Sequence, residues 1–219
     1  MRYAIAILVG YLLGNISFSS IFAKIFAKKD IHSMGSGNPG ATNILRTMGL
    51  KYAVPVFILD ASKAIIASII GCIIIGNGSF FEFTFFHGYT CYEVFVGGVA
   101  AILGHNYPAL MRFKGGKGVS CTLGLLIVLN PLLGLGAVAF AAGANVKIKI
   151  YSIVSLATML ISALCFTFFD VCPNPQDNLI QIIVLWLLLA LMIFTHRQNI
   201  KRLLNGTEGK INIFKTEEK

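Results

Sequence analysis

Long apolar stretches alternate with short polar segments along this chain. A helix needs about 20 mainly apolar residues to cross a bilayer, and five stretches approach that length. They are residues 3–27, 52–75, 92–110, 150–169 and 179–195. The chain starts like a signal peptide, with Arg2 before an apolar run, but no small-x-small cleavage site follows, so we expect an uncleaved first helix.

Residues 118–146 form a further uncharged stretch, too long for one upright span and rather short for two. Asn130-Pro131 lies near its middle, where proline would break a helix. If the stretch crosses once, the basic C-terminal tail faces the opposite side from the earlier basic loops. If it crosses twice, all four basic regions share one side.

The distribution of positive charge favours two crossings. Fifteen of the 18 Lys and Arg residues would then lie in cytoplasmic segments, as the positive-inside rule expects. Arg2 argues against this orientation of the first span, but Lys24, Lys28 and Lys29 at the other end of the span outweigh it. We therefore predict an all-α, polytopic transmembrane bundle of seven spans, with the N-terminus out and the C-terminus in. Residues 1–219 would form a single membrane domain, with a short cytoplasmic tail over about residues 196–219.

The composition also indicates a membrane protein, with 56% hydrophobic and only 12% charged residues and a mean hydropathy of +0.78. Disorder requires low hydrophobicity and is excluded. The net charge of +9 could indicate nucleic acid, but the basic residues are dispersed beside a bilayer. We expect membrane lipid, and no nucleic acid, as their partner. The five cysteines show no C-x-x-C spacing, so we predict no metal site. Cys91 and Cys172 could face the same outer compartment, but we predict no disulfide between them.

The polar segment after the first span, residues 32–46, is rich in Gly, Ser and Asn. Gly35-x-Gly37-x-x-Gly40 formally matches the dinucleotide fingerprint, but no βαβ unit is available around it. Glycines let backbone N–H groups converge on an anion, and a helix N-terminus adds a favourable dipole. An anion site and a simple turn between helices are both open interpretations. The candidate anion ligands are Ser36, Gly37, Asn38, Gly40, Thr42, Asn43 and Arg46.

The second polar segment, residues 104–118, ends in Lys114-Gly-Gly-Lys-Gly. It is not a Walker loop, because Met111 stands where the first glycine is needed and Gly118 where Ser or Thr is needed. A positive loop on the inside is the simpler interpretation. Three glycines around a lysine nevertheless make a compact cationic nest before a helix. Such a nest favours the binding of a phosphate group. Its members are Gly115, Gly116, Lys117 and Gly118.

The third polar segment, residues 195–209, follows the last span. If the helix continues, His196 and Asn199 share a face, with Arg202 a turn further along. A solvated juxtamembrane helix is the simpler interpretation, and His196 adds a modest signal for proton transfer or anion binding. Asn205-Gly206 predicts the end of the helix.

A few polar side chains fall inside predicted spans. Asp60 and Lys63 lie three apart in the second span, which predicts a buried intrahelical ion pair. Asn15, Ser17, Ser19 and Ser20 make one face of the first span polar, either for helix packing or for lining a cavity. The three polar segments, by contrast, all fall on the cytoplasmic face, which suggests chemistry on phosphorylated molecules that enter or leave lipid.

The three segments resemble the motifs of the PlsY family, the bacterial acyl-phosphate:glycerol-3-phosphate acyltransferases. The first motif reads Ser36-Gly-Asn-Pro-Gly-Ala-Thr-Asn-Ile-Leu-Arg46. The second combines Gly104-His-Asn-Tyr-Pro with Phe113-Lys-Gly-Gly-Lys-Gly-Val119, and the third combines His196-Arg-Gln-Asn-Ile-Lys-Arg-Leu with Gly206-Thr-Glu208. The motifs occur in the family order, and the likeness extends over nearly the whole chain.

The resemblance implies a seven-span enzyme of the bacterial inner (cytoplasmic) membrane with its active site on the cytoplasmic face. It would move an acyl group from acyl phosphate to the 1-hydroxyl of glycerol 3-phosphate, giving lysophosphatidate and phosphate, the first step of phospholipid synthesis. No cofactor or metal is expected, because the mixed anhydride has a good leaving group and mainly needs positioning, charge neutralisation and proton removal. A functional link to an enzyme that produces acyl phosphate is also implied.

By the same resemblance, Ser36 and Arg46 would hold glycerol 3-phosphate, and Lys117 would neutralise phosphate charge near the reacting centre. His196 and Asn199 would lie beside the acyl donor, and His105 would order the second motif. The acceptor of the hydroxyl proton stays open between His196 and a substrate phosphate. The expected catalytic residues are Lys117, His196, Asn199 and His105, and the expected substrate-binding residues are Ser36, Gly37, Asn38, Gly40, Thr42, Asn43, Arg46, Gly115, Gly116, Gly118, Arg202 and Glu208.

Two other functional classes are less favoured. Acyltransferases that use His-x-x-x-x-Asp are excluded, because none of the four histidines is followed by Asp at that spacing. Transporters typically place their polar sites at mid-membrane and often show repeats. Here the polar residues crowd one interface and no convincing repeat is present, so an enzyme is favoured over a transporter or scramblase for phosphorylated solutes.

Overall fold

The computed structural model describes residues 1–75, 92–169 and 175–212, and all regular secondary structure in those ranges is helical. The predicted all-α class is therefore confirmed. The α-helices are α1 (Arg2–Asn15), α2 (Phe18–Phe22), α3 (Ala41–Met48), α4 (Leu50–Ile75), α5 (Tyr92–Asn106), α6 (Val119–Leu129), α7 (Pro131–Ile148), α8 (Tyr151–Phe168), α9 (Pro175–Thr195) and α10 (Arg197–Leu204). A π-helical turn over Ala23–Ala27 extends α2, and two short 3-10 turns cover Ile31–Ser33 and Ala109–Met111.

Five helical stretches are long and apolar enough to cross a membrane. They are Arg2–Ala27, Leu50–Ile75, Glu93–Met111, Pro131–Ile148 and Tyr151–Phe168. Leu179–Thr195 of α9 becomes a sixth if it is counted with α10, from which it is bent by 61°. The remaining predicted crossing falls on α6, whose 11 residues extend only about 16 Å against a hydrocarbon core of about 30 Å. The described helices thus provide five or six spans by length and composition.

The predicted break at Asn130-Pro131 is confirmed. α6 ends at Leu129, and the Asn130 side chain caps α7 by accepting a hydrogen bond from the Leu133 N–H at 3.1 Å. Pro131 occupies the first helical position, where its missing N–H costs nothing.

Small residues allow the first long helices to approach closely. α1, α4 and α5 pack against one another, and α6 packs on α4. A methyl group at Gly97 of α5 would collide with the Ala67 carbonyl oxygen of α4, and one at Gly14 of α1 would collide with Ala101. Such contacts are typical of helix packing within membranes.

The outer surface of the bundle is apolar. Leu132 is 70% exposed and Leu187 is 64% exposed, and many other Ile, Leu and Phe side chains also face outward. A soluble monomer rarely presents so much contiguous apolar surface, so this surface fits a lipid environment.

The predicted ion pair in the second span is confirmed. Lys63 Nζ lies 3.0 Å from Asp60 Oδ1, and both side chains are buried. Lys63 also donates to the carbonyl oxygens of Gly14 and Ile16 at 3.1 and 2.7 Å, where α1 ends. These carbonyls are left free by the break before α2, so the lysine stabilises that break. Among the polar residues of the first span, Ser17 caps α2, and Asn15 donates to the Tyr11 carbonyl and accepts from the Leu110 N–H, so both serve helix ends and packing.

The cysteines in the described ranges, Cys72, Cys121 and Cys165, are free thiols. Cys91 and Cys172 lie outside the described residues, as does the Phe-rich linker 76–91. The same holds for most of the charge-free segment 170–178 and for residues 213–219 of the tail.

Candidate active site

The three polar segments meet at one end of the bundle around a cavity of about 370 Å³. We call this end the polar end. Twelve of the sixteen residues singled out from the sequence line the cavity: Ser36, Asn38, Gly40, Thr42, Asn43, Arg46, His105, Lys117, Gly118, His196, Asn199 and Glu208. Gly37, Gly115, Gly116 and Arg202 do not line it.

Asn43 organises the first segment. Its Oδ1 accepts a hydrogen bond from the Ser36 N–H, and its Nδ2 donates to the Met34 carbonyl, both at 2.9 Å. The amide is therefore used within the loop, which it folds back onto the start of α3. Gly37 takes a left-handed φ of 70° and donates its N–H to the Met34 carbonyl at 2.8 Å, so this N–H is used within the loop.

Arg46 supplies an unpaired cation. It lies in the second turn of α3 and is only partly exposed, and its side chain reaches the cavity wall. Within the described ranges it has neither a hydrogen bond nor an ion pair. A guanidinium held this way is ready for a planar anion such as phosphate.

The glycines of the second segment serve packing. The Gly116 N–H donates to the His105 carbonyl at 3.0 Å, and a methyl group at Gly116 would collide with the imidazole ring of His105. A methyl group at Gly115 would collide with the backbone of His105 and Asn106. Of the three glycines only Gly118 lines the cavity, because the other two hold the loop against α5. The phosphate nest stays a prediction.

His105 connects this loop to the buried ion pair. Its Nδ1 accepts a hydrogen bond from Lys63 Nζ at 2.9 Å and lies 3.6 Å from Asp60 Oδ1. A continuous chain of polar contacts thus runs from Asp60 through Lys63 and His105 to Gly116. Asp60 also lines the cavity, although the sequence pattern assigned it only to the ion pair.

The third segment brings a hydrogen-bonded network to Lys117. Lys117 Nζ donates to Asn199 Oδ1 at 2.5 Å, and Asn199 Nδ2 donates to Glu208 Oε1 at 2.5 Å. Ser152 Oγ also donates to Oε1 of Glu208 at 2.9 Å, and Arg202 Nε donates to Oε2 at 2.6 Å. Glu208 is therefore the centre that fixes Asn199 and, through it, Lys117.

The segment after α10 folds back to place Glu208. The Ile211 N–H donates to the Lys149 carbonyl at 2.8 Å. The Ile211 side chain is buried in a small hydrophobic cluster with Ile44 and Val56. A turn that begins at Gly206, with a φ of 67°, makes this return possible.

His196 stands at the bend between α9 and α10. Its Nδ1 donates to the Met192 carbonyl at 2.8 Å, which leaves Nε2 as the ring nitrogen with the free lone pair. Burial lowers the pKa of His196 to about 4, and the positive charge of Lys117 adds to this effect. The imidazole is therefore neutral at neutral pH.

The pKa values of Lys117 and Glu208 are also shifted. Burial lowers the pKa of Lys117 to about 8; the Glu208 carboxylate opposes this, while Arg202 and Arg46 add to it. Burial would raise the pKa of Glu208, but hydrogen bonds from Asn199, Arg202 and Ser152 outweigh it and hold that pKa below its usual value. The polar end is thus cationic at neutral pH, as an anion site requires.

Beyond the polar end the walls are mainly apolar, although Asp60, Thr122, Ser155 and Thr158 also line them. Side chains from four helices form these walls: Ala53, Val54 and Phe57 of α4; Leu123 and Leu126 of α6; Val138, Ala141 and Ala142 of α7; and Met159 of α8. One cavity therefore offers cations and hydrogen-bond donors at its polar end and hydrocarbon-like walls further in. The part of the chain that the structure describes contains no cluster of three or more His, Cys, Asp or Glu side chains that could hold a metal ion.

Ser152 is a residue of the hydrogen-bonded network that the sequence did not predict. It lies in the first turn of α8, inside a stretch assigned to a span, and no motif marks it. The only available signal was a polar residue in the first turn of an otherwise apolar helix, close to basic Lys147 and Lys149.

Comparisons with known proteins identify the family. A family model described as glycerol-3-phosphate acyltransferase matches residues 4–206. The chain belongs to this family. The glycerol-3-phosphate acyltransferase of Thermoanaerobacter sp. (strain X514) is 39% identical over 212 residues, which is 96% of each chain. That of Clostridioides difficile (strain 630) is 38% identical over 209 residues, which is 95% of each chain.

Solved structures agree with the family assignment. The crystal structure of PlsY (YgiH), an integral membrane glycerol 3-phosphate acyltransferase, in its glycerol 3-phosphate form matches with a TM-score of 0.78, 33% identity and 96% coverage of both chains. The lysophosphatidic acid form matches with a TM-score of 0.77 and 32% identity, over 98% of this chain and 100% of that one. The resemblance to the PlsY family is confirmed, and the chain is a multi-pass integral membrane protein of that enzyme family.

Proposed function

We propose that this protein transfers an acyl group from an acyl phosphate to the 1-hydroxyl of glycerol 3-phosphate, releasing lysophosphatidate and inorganic phosphate. The observation that carries the proposal is the two-part cavity: Arg46 and Lys117 stand at one end, and apolar walls continue from it into the bundle. Both substrates carry phosphate, and the donor and the product carry an acyl chain. The polar end also lies at helix ends and not at mid-membrane, which favours an enzyme over a transporter.

Two groups of residues would receive the two phosphates. Ser36 and Arg46, on the loop and on α3, would hold the phosphate of glycerol 3-phosphate. Lys117, with Asn199 and His196 beside it, would neutralise the phosphate of the donor. Asn38, Gly40 and Thr42 would add hydrogen bonds in the first group. Arg202 would act through Glu208, because it does not reach the cavity itself.

In the reaction, the 1-hydroxyl oxygen attacks the acyl carbonyl carbon, and the bond from that carbon to the phosphate oxygen breaks. Phosphate leaves with the electron pair, stabilised by Lys117. The hydroxyl proton passes to a phosphate oxygen or to Nε2 of His196. We favour the phosphate, whose second pKa of about 6 lies closer to neutral pH than the pKa of about 4 of His196.

We also propose the seven-crossing arrangement in the bacterial inner membrane, with the N-terminus outside and the polar end in the cytoplasm. α6 would be the short seventh crossing, and residues 1–219 would form one domain. In this position the polar end faces water-soluble glycerol 3-phosphate. An acyl phosphate is a reactive anhydride, so a functional link to the enzyme that makes it would limit its hydrolysis.

The experiment is an assay of the purified protein with an acyl phosphate and labelled glycerol 3-phosphate. We expect lysophosphatidate acylated at the 1-position and one inorganic phosphate per acyl group transferred. Glycerol, which lacks the phosphate, should be a poor acceptor. No product, or equal use of glycerol and glycerol 3-phosphate, would contradict the proposal.

A further inference from the structure

On α6, α7 and α8 the cavity ends at one apolar side chain each, whereas on α4 the lining residue furthest from the polar end is Asp60. Leu126 of α6, Val138 of α7 and Met159 of α8 are, on each helix, the lining residues furthest from the polar end. At 1.5 Å per residue, they lie about 10, 15 and 12 Å from the helix ends that border the polar end. We call these three residues the floor of the cavity.

The floor is tightly packed. Leu126 and Met159 are only 1% and 2% exposed and belong to one hydrophobic cluster, and Val138 packs against that cluster. The same cluster includes Leu129 and Leu185, which are buried and do not line the cavity. An acyl chain that follows the apolar walls would therefore stop at the floor and not pass further into the core.

We infer that the floor, and Met159 in particular, determines which acyl-chain length the enzyme transfers best. The inference rests on the proposed function, because it assigns the apolar part of the cavity to the acyl chain of the donor. A chain whose end reaches the floor makes the most van der Waals contacts with the cavity walls, whereas a shorter chain leaves part of the space unfilled. A chain that is too long must bend or displace the floor, and these contacts are lost.

Met159 is the floor residue best suited to a substitution test. Its side chain is unbranched and flexible, so the wild-type optimum should be broad. Replacing it with Ala removes three side-chain atoms and leaves space that surrounding residues fill only in part. Replacing it with Phe raises the floor.

The experiment measures kcat/KM for a series of saturated acyl phosphates that differ by two carbons, at fixed glycerol 3-phosphate. Met159→Ala should move the optimum to a chain longer by roughly two carbons. Met159→Phe should move it to a shorter chain. Val138→Phe raises the floor from another helix and should act like Met159→Phe, so the inference does not depend on one variant folding.

The matched control is Leu185→Ala. This residue is buried in the same hydrophobic cluster but does not line the cavity, so its removal should lower stability without moving the optimum. An unchanged optimum in Met159→Ala and Val138→Phe, with acyl transfer retained, would overturn the inference and leave the proposed function standing. Absence of transfer by the wild-type protein with every donor would overturn both.

Discussion

At the scale of single residues, Glu208 connects the site. It accepts hydrogen bonds from Asn199, Arg202 and Ser152, and Asn199 in turn holds Lys117. Lys117, Asn199 and Glu208 were candidate residues because they lie in motifs that resemble those of the family. The sequence did not predict the contacts among them. Their mutual distances depend on how the tail folds back, and no local pattern encodes that.

Replacing Lys117 tests whether it binds phosphate or only marks the loop as cytoplasmic. Lys117→Ala should insert and fold normally, because Arg112 and Lys114 still carry the charge of the loop. The rate should nevertheless fall on the order of a hundredfold, since a charge-assisted contact in a desolvated site contributes about 2–4 kcal/mol. Turnover of the purified variant measures this. Lys147→Ala removes an exposed lysine outside the cavity and should change turnover little; equal losses in both variants would argue against a specific site.

The pH dependence of kcat/KM tests the charge of Lys117. Its pKa is lowered to about 8, so the cation is present below that pH and is lost as the pH rises through it. We expect kcat/KM to fall above about pH 8, because kcat/KM reports the free enzyme. The Glu208 carboxylate raises the pKa of Lys117, so Glu208→Gln should move this decline to lower pH. A decline at the same pH in the variant would show that another group controls it.

At the scale of elements, local chemistry predicted one helix break and missed another. Asn130-Pro131 contains a cap and a proline, and the chain breaks there as expected. The 61° bend after Thr195 has neither proline nor glycine beside it. There, the His196 side chain bonds to the carbonyl four residues earlier, and Ser152 of α8 donates to Glu208 of the tail, so the bend combines a local contact with a contact between distant segments.

Lys63 gives a test of how α1, α4 and α5 are held together. Lys63→Met would leave Asp60 as an unpaired buried charge and the carbonyls of Gly14 and Ile16 without their donor. We expect a loss of about 3–5 kcal/mol in stability, measured by denaturation of the detergent-solubilised protein. The double variant Asp60→Leu/Lys63→Met should recover part of it. Lys24→Met, at an exposed lysine, should have little effect, and equal stability of the Lys63 variant and this control would refute the account.

At the scale of the whole molecule, charge placement correctly brought the three polar segments to one end of the bundle. The apolar part of the cavity could not be predicted in the same way. Its walls come from α4, α6, α7 and α8, whose sequences show no feature that separates cavity-lining Leu123 or Met159 from core residues. Which apolar side chains pack and which leave a space depends on the relative placement of the helices.

The seven-crossing topology has its own test. A reporter that is active only outside the cytoplasm should be active when fused within residues 170–178 and inactive when fused after Lys219. The reason is that segment 170–178 has no Lys or Arg, whereas the tail is strongly basic. The reverse pattern of activity would contradict the orientation.

The central claim is that the cavity accepts an acyl phosphate as donor. Arg46 and Lys117 at the polar end fit a donor whose activating group is a phosphate, and the apolar walls fit its acyl chain. The most direct measurement compares acyl phosphate and acyl-CoA of equal chain length as donors to glycerol 3-phosphate with the purified protein. We predict lysophosphatidate formation with acyl phosphate and little or none with acyl-CoA. Equal rates with the two donors would contradict the account.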